Sequence, residues 1–169
     1  MDDSIYLIDK HAAHERLLFE QLKDKKAGKQ MLISAVTVSL TKEEHEAIVE
    51  NLDLLLESGF EVEDFGDGSV VVRTVPANLS SEDVKSLISE IAGSLISGSS
   101  VRIERLDDIY HRVSCRSAIK AGNVSTQAEL LYIAERILSF KDIMYCPHGR
   151  PVAFEISRRS LEKHFGRIQ

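Results

Sequence analysis

Ile5-Tyr6-Leu7-Ile8-Asp9-Lys10-His11-Ala12-Ala13-His14-Glu15-Arg16-Leu17-Leu18-Phe19-Glu20 reads as a strand that runs straight into a helix. Residues 5–8 are a short continuous apolar run with the length and β-propensity of a buried strand. A helix is predicted from about His11 to Lys25, with Leu18 and Leu22 four apart and Ala27-Gly28 stopping it. Asp9 falls at the end of the strand, where its carboxylate can turn back toward the helix. His11 and Glu15 are four apart, so their side chains project from one face with Cβ atoms about 5–6 Å apart.

A second set of chemically able residues lies near the other end, in Cys146-Pro147-His148-Gly149-Arg150-Pro151. Cys146 and His148 are two apart in a loop containing Pro and Gly, a spacing that lets both side chains reach one ion. Thiolate, imidazole and carboxylate together suit Zn²⁺, and Asp, His and Glu without sulfur also suit Mn²⁺. Neither segment completes a site alone, so a metal centre requires the fold to join them. Each residue also has a plainer reading. His11 and His14 fit exposed helix positions, Glu20 a solvated helix charge, and Cys146 a small buried apolar residue. Cys115, beside Ala118 and Ile119 on a predicted helix, fits the core.

Between these ends the pattern is α+β. Met31 to Leu40 reads as a strand, and Thr41-x-x-Glu44 caps a helix expected to run to about Ser58, ended by Gly59. Phe60–Phe65 and Val70–Val75 are strand-like, with Gly66-Asp67-Gly68 as a hairpin turn. Ser80 or Ser81 is expected to cap the next helix, whose Val84, Leu87, Ile88, Ile91 and Leu95 form one apolar stripe. Two further helices are predicted, at about Leu106–Ala121 and Thr126–Leu138, the second with a capping box at Thr126-x-x-Glu129 and an apolar face of Leu130, Ala134, Ile137 and Leu138. A strand from Val152 to Ile156 and a basic terminal helix follow. The expected organisation is a discontinuous subdomain of residues 1–35 and 102–169, with residues 36–101 inserted as an outer subdomain.

Charge is unevenly spread in a chain of net charge −6. From Lys42 to Asp64 there are nine acids against one base, whereas from Cys146 to Gln169 there are five bases against two acids. Phosphate is repelled by the first region and tolerated by the second, although both also fit solvated helix faces. No apolar run approaches the roughly 20 residues needed to cross a bilayer, and no secretory signal opens the chain. Two cysteines in unrelated contexts point to a reducing compartment. The H-E-x-x-H pattern begun by His14-Glu15 fails because Leu18 stands where the second histidine is needed, which excludes a zincin-type protease. G-x-S-x-G, P-loop and G-x-G-x-x-G patterns are all missing. His148, so close to Cys146, fits a co-ligand better than a separately oriented base for a thiol nucleophile.

Asp9-Lys10-His11-Ala12-Ala13-His14-Glu15, with Glu20 five residues on, resembles the D-Q-H-A-x-x-E-x-x-x-x-E motif of the endonuclease-type MutL proteins of DNA mismatch repair. Cys146-Pro147-His148-Gly149-Arg150-Pro151 matches that family's C-P-H-G-R-P throughout. Ser114-Cys115-Arg116 resembles its A-C-R motif and Phe165-Gly166-Arg167 its F-x-R motif, all in family order.

The resemblance implies the C-terminal region of such a protein, without its ATPase domain: a dimerisation subdomain with an inserted regulatory subdomain that nicks one strand of duplex DNA. Asp9, His11 and Glu15 are implied as catalytic, and Asp9, His11, Glu15, Cys115, Cys146 and His148 as surrounding Zn²⁺ and Mn²⁺, with Glu20 a weaker candidate. A metal there would polarise the scissile phosphate and activate a water. Lys10, in place of the usual Gln, puts a cation beside the ligands, where it either opposes metal binding or helps hold phosphate. Arg116, Arg150 and Arg167 are implied to hold phosphate or brace the loop, bracing being the better fit for Arg150. Gln30-Met31-Leu32-Ile33-Ser34-Ala35 fits the start of the family's sliding-clamp segment, through Gln30, Leu32 and Ile33, with Ala35 where proline is expected. The implied partners are a second copy of the chain, duplex DNA, the sliding clamp and a MutS-type mismatch recognition protein, in the cytoplasm at the nucleoid. An acidic fragment is expected to bind and nick DNA weakly by itself. The alternative is a non-catalytic dimerisation module in which zinc only staples the two ends. A protein-only scaffold without metal leaves the Cys146–His148 pairing unexplained.

Overall fold

The computed structural model describes residues 4–118, 124–140, 145–146 and 149–168. In chain order the elements are β1 (Ser4–Ile8), α1 (Lys10–Lys23), β2 (Lys29–Ser39), α2 (Lys42–Val49), α3 (Leu52–Glu57), β3 (Glu61–Gly66), β4 (Ser69–Pro76), α4 (Val84–Ser97), α5 (Arg102–Ser117), α6 (Gln127–Ser139), β5 (Ala153–Ser157) and α7 (Arg158–His164). This is the α+β class expected. The chain forms two compact units, residues 18–118 and residues 1–17 with 119–169.

The larger unit is built on an antiparallel sheet of order β2-β4-β3. β4 is central, and its Val70, Val71, Val72 and Val75 are all buried. The β3–β4 turn is Asp67-Gly68, with φ of 49° and 69°. Two consecutive positive φ values define the type I′ turn whose twist matches the strands it joins. The sheet packs with Ile48, Leu54, Leu55 and the α4 stripe, whose Val84, Leu87, Ile88 and Ile91 are fully buried. Phe19 and Leu22 from α1 and Tyr110 and Val113 from α5 belong to the same core.

Two local expectations change. The helix expected over 41–58 is two helices, because the Asn51 side chain donates to the Ala47 carbonyl at 2.8 Å and the backbone there leaves the helical region (φ −123°, ψ 27°). The residue before α4 is Asp83, not Ser80 or Ser81; Ser80 instead accepts from the Glu82 N–H in a local turn. The compact units are bounded at 17/18 and 118/119, and β2 runs with β4 from Lys29↔Pro76 to Ser39↔Ser69 within the larger one.

The smaller unit pairs β1 with β5 antiparallel. Its core is Ala12, Ala13, Leu17, Ile133, Ile137, Cys146 and Val152, with Ile8 and Phe140 against it. On α6 the inward line is Ile133 and Ile137, whereas Leu130 and Leu138, expected inside, are 43% and 49% exposed. Its capping box forms as expected, Thr126 with Glu129.

Candidate metal centre

Asp9 is the N-cap of α1. Its Oδ1 accepts from the Ala12 N–H at 3.0 Å and its carbonyl from the Ala13 N–H at 2.8 Å. Its own N–H donates to the Val152 carbonyl at 2.9 Å, which ties the start of the helix to the strand end following the cysteine loop. That loop is closed by its backbone: Cys146 N–H donates to the Arg150 carbonyl and Gly149 N–H to the Cys146 carbonyl, both at 2.8 Å. Tyr145 bridges Pro151 across it. Gly149 sits at φ +77°, in the left-handed region that a side chain strains.

A second tie comes from Arg16, whose Nη1 donates to the Tyr145 carbonyl at 3.4 Å. The chain ends are therefore joined within the smaller unit, by α1 on one side and residues 145–152 on the other. Ala12 and Ala13 matter here: their small side chains let α1 pack close to Cys146 and Val152. Glu15 and Cys146 are each 3% exposed, a carboxylate and a thiol in one small unit. His11 is half-buried one turn before Glu15, and Asp9 is exposed at the helix start. A carboxylate withdrawn from water requires a positive or donating partner. Two carboxylates, an imidazole and a thiol are a donor set that fits Zn²⁺ or Mn²⁺. Among the described residues, no three His, Cys, Asp or Glu side chains are arranged as a metal cluster. His148 lies outside the described residues.

His14 is held below the usual imidazole range, chiefly by burial, with Glu129 opposing and His11 adding to the shift. Glu129 does double service, accepting from the Thr126 N–H at 2.8 Å to cap α6 while its charge faces His14 and Lys10. Sequence reading marks it only as a cap. Nor does sequence single out Arg16, since no spacing rule marks a side chain that reaches a carbonyl 129 positions away.

The remaining candidates divide between the two units. Cys115 and Glu20 are in the larger unit; Cys115 is exposed on α5, which removes its reading as core, and neither cysteine is in a disulfide. Arg116 braces α4: Nη1 reaches Asp83 at 3.3 Å and Ser86 at 3.2 Å, and Nη2 pairs with Glu90. A guanidinium held by two carboxylates has little left for phosphate. Arg150 supports its loop through its carbonyl, with its side chain exposed. Arg167 donates its N–H to the Glu162 carbonyl at 2.8 Å while Gly166 donates to that of Lys163 at 3.0 Å, the paired bonds of a Schellman cap. Gly166, at φ +66°, is what permits that cap, which gives Phe165-Gly166-Arg167 a physical reason.

In the larger unit, Gln30 donates to the Leu79 carbonyl at 2.6 Å and Leu32 packs on the core, while Met31 and Ile33 are 81% and 107% exposed. An open groove of about 680 Å³ is lined by this segment with Ser81, Glu82 and Lys85. β2 leaves its register with β4 between Met31 and Val36, so residues 32–35 stand outside the ladder.

Comparison with known proteins places the chain among its relatives. The family profile described as the MutL C terminal dimerisation domain matches residues 1–125. The DNA mismatch repair protein MutL of Methanoculleus marisnigri is 38% identical over 98% of this chain and 29% of its own length. Those of Heliobacterium modesticaldum and Clostridium tetani are 36% and 34% identical over 98% of the chain, which covers 26% and 28% of them. The chain thus spans between a quarter and a third of these relatives, and it belongs to the family of MutL C-terminal dimerisation domains.

Proposed function

We propose that this chain is the dimerisation and metal-dependent strand-nicking module of an endonuclease-type MutL mismatch repair protein. The observation that carries the reading is the tie between α1 and residues 145–152, which gathers Asp9, His11, Glu15 and Cys146 in one small unit, pinned by the 2.9 Å bond from Asp9 N–H to Val152. These residues, with His148, would hold Zn²⁺ or Mn²⁺, which when bound supplies Lewis acidity to a phosphodiester and an activated water. The chain's own contribution is orientation. Asp9 is aimed by its cap, the loop is closed by its backbone, and Glu15 is kept out of water.

Dimerisation rests on the β1–β5 sheet. Ile5 pairs with Ile156 and Leu7 with Phe154, so the four share one face, and Ile5, Leu7 and Phe154 are 51%, 57% and 63% exposed. Contiguous apolar surface of this kind is what a second copy covers. Docking of a sliding clamp is proposed at Gln30, Leu32 and Ile33, where the bulged segment offers Ile33 to solvent. A MutS-type partner and duplex DNA follow from the family.

The test is conversion of supercoiled plasmid to open circles in Mn²⁺, with bound metal measured in parallel. Asp9→Asn should keep the fold and abolish nicking. Nicking by Asp9→Asn at the native rate sinks the catalytic reading. Zinc lost from a Cys146→Ser variant, with no nicking by any form, leaves the stapled dimerisation module.

A further inference from the structure

The chain carries net charge −6, yet its last described helix is basic. On α7, Arg158 is matched by Glu162 at 2.9 Å one turn on. Arg159 and Lys163, also one turn apart, are exposed, and among the described residues no carboxylate pairs with them or with Arg167. The helix macrodipole accounts for Lys163, in the last turn, but not for Arg159. Arg159 lies in the first turn, where the helix macrodipole disfavours a cation. The element is nonetheless firmly built, capped by Ser157 accepting from Ser160 N–H at 3.2 Å and closed by the Gly166–Arg167 cap. Three cations are thus displayed on a defined framework, with charge complementary to a polyanion.

The sheet register fixes where α7 departs relative to the candidate site. Ala153 pairs with Ile8, next to Asp9, and Ser157 pairs with Ser4, at the strand end from which α7 departs. Along β5 that separation is roughly 13 Å at ~3.3 Å per residue. It corresponds to about four base pairs at 3.4 Å of axis per phosphate in one strand.

We infer that Arg159, Lys163 and Arg167 hold the phosphate backbone of duplex DNA, on an element that starts about four base pairs from the phosphodiester presented near Asp9. This rests on the nicking reading above, with the duplex as substrate, and adds the surface that seats it. Backbone contacts position a duplex without reading its sequence.

The experiment measures binding without chemistry: fluorescence anisotropy of a labelled duplex of about 30 base pairs, in EDTA, from about 20 to 100 mM salt. The chain should bind the duplex with an affinity that falls steeply with salt. Arg159→Ala/Lys163→Ala/Arg167→Ala should reduce the slope of log K against log salt by about 2.7, at about 0.9 for each phosphate no longer neutralised. Arg159→Gln/Lys163→Gln should reduce it by about 1.8, while Lys42→Ala, in the acidic region of the other unit, should leave it unchanged. An unchanged slope in both α7 variants, no duplex binding at the lowest salt, or binding of single strands alone overturns the assignment. Intact binding in a chain that never nicks counts against the nicking reading instead, so the two can fail separately.

Discussion

The two units solve the problem of stability differently. The larger draws on Phe60, Ile48, Leu55, the β4 valines and the α4 stripe, a continuous apolar core around three strands. The smaller has two strands, a core of alanines, two isoleucines, a leucine, a valine and a cysteine, and a buried carboxylate beside them in sequence. A two-stranded ribbon is marginal in water without further packing. Its apolar sheet face is exposed, and its interior holds a thiol and a carboxylate. One unit is a scaffold; on the proposed reading the other depends on a second copy and a metal.

The comparison is sharpest if broken from the scaffold side first. Phe60→Ala should cost the larger unit about 3–5 kcal/mol, because a fully buried ring leaves a cavity. Urea unfolding with a loss below ~1 kcal/mol would show that this core is not continuous. Next comes the exposed face of the smaller unit. Leu7→Glu should weaken self-association by about 30-fold or more, read by analytical ultracentrifugation, with little change in circular dichroism. A variant that associates like the native chain moves the dimer contact off the β1–β5 face.

Smaller effects probe the loop and the cap. Gly149→Ala should cost about 1 kcal/mol through its φ of +77° and lower zinc affinity, although a methyl group there meets no atom within 4 Å. Equal zinc affinity, measured by chelator competition, would detach that loop geometry from metal binding. Asp9→Ala should cost about 1 kcal/mol in thermal unfolding, whereas Asp9→Asn should be nearly neutral because asparagine caps as well as aspartate. Equal losses in the two variants would mean that charge, not the capping bond, sets the contribution of Asp9 to stability.

What sequence makes legible follows from how local each signal is. The Asp67-Gly68 turn, the capping boxes at Thr41 and Thr126 and the α4 stripe are each written within a few residues, and all appear in the fold. The helix break at Asn51 is not legible, because the same residue would sit quietly on an exposed helix face if its amide did not reach Ala47. The inward line of α6 departs from expectation for a related reason. Leu130 and Leu138 carry the same hydrophobicity as Ile133 and Ile137, and hydrophobicity does not say whether a neighbour within the chain or a second copy covers a face. At the candidate centre, the motifs locate both halves but not the ties between them, which run through backbone groups and Arg16.

One feature of the larger unit bears on how this protein can change over generations. Between Met31↔Thr74 and Val36↔Val72, β2 takes five steps while β4 takes two. The sheet is secured on both sides of this slack, so it keeps its register whatever residues the slack contains, provided Leu32 still packs. Selection can therefore rewrite residues 33–35, including the alanine at 35, without renegotiating the fold.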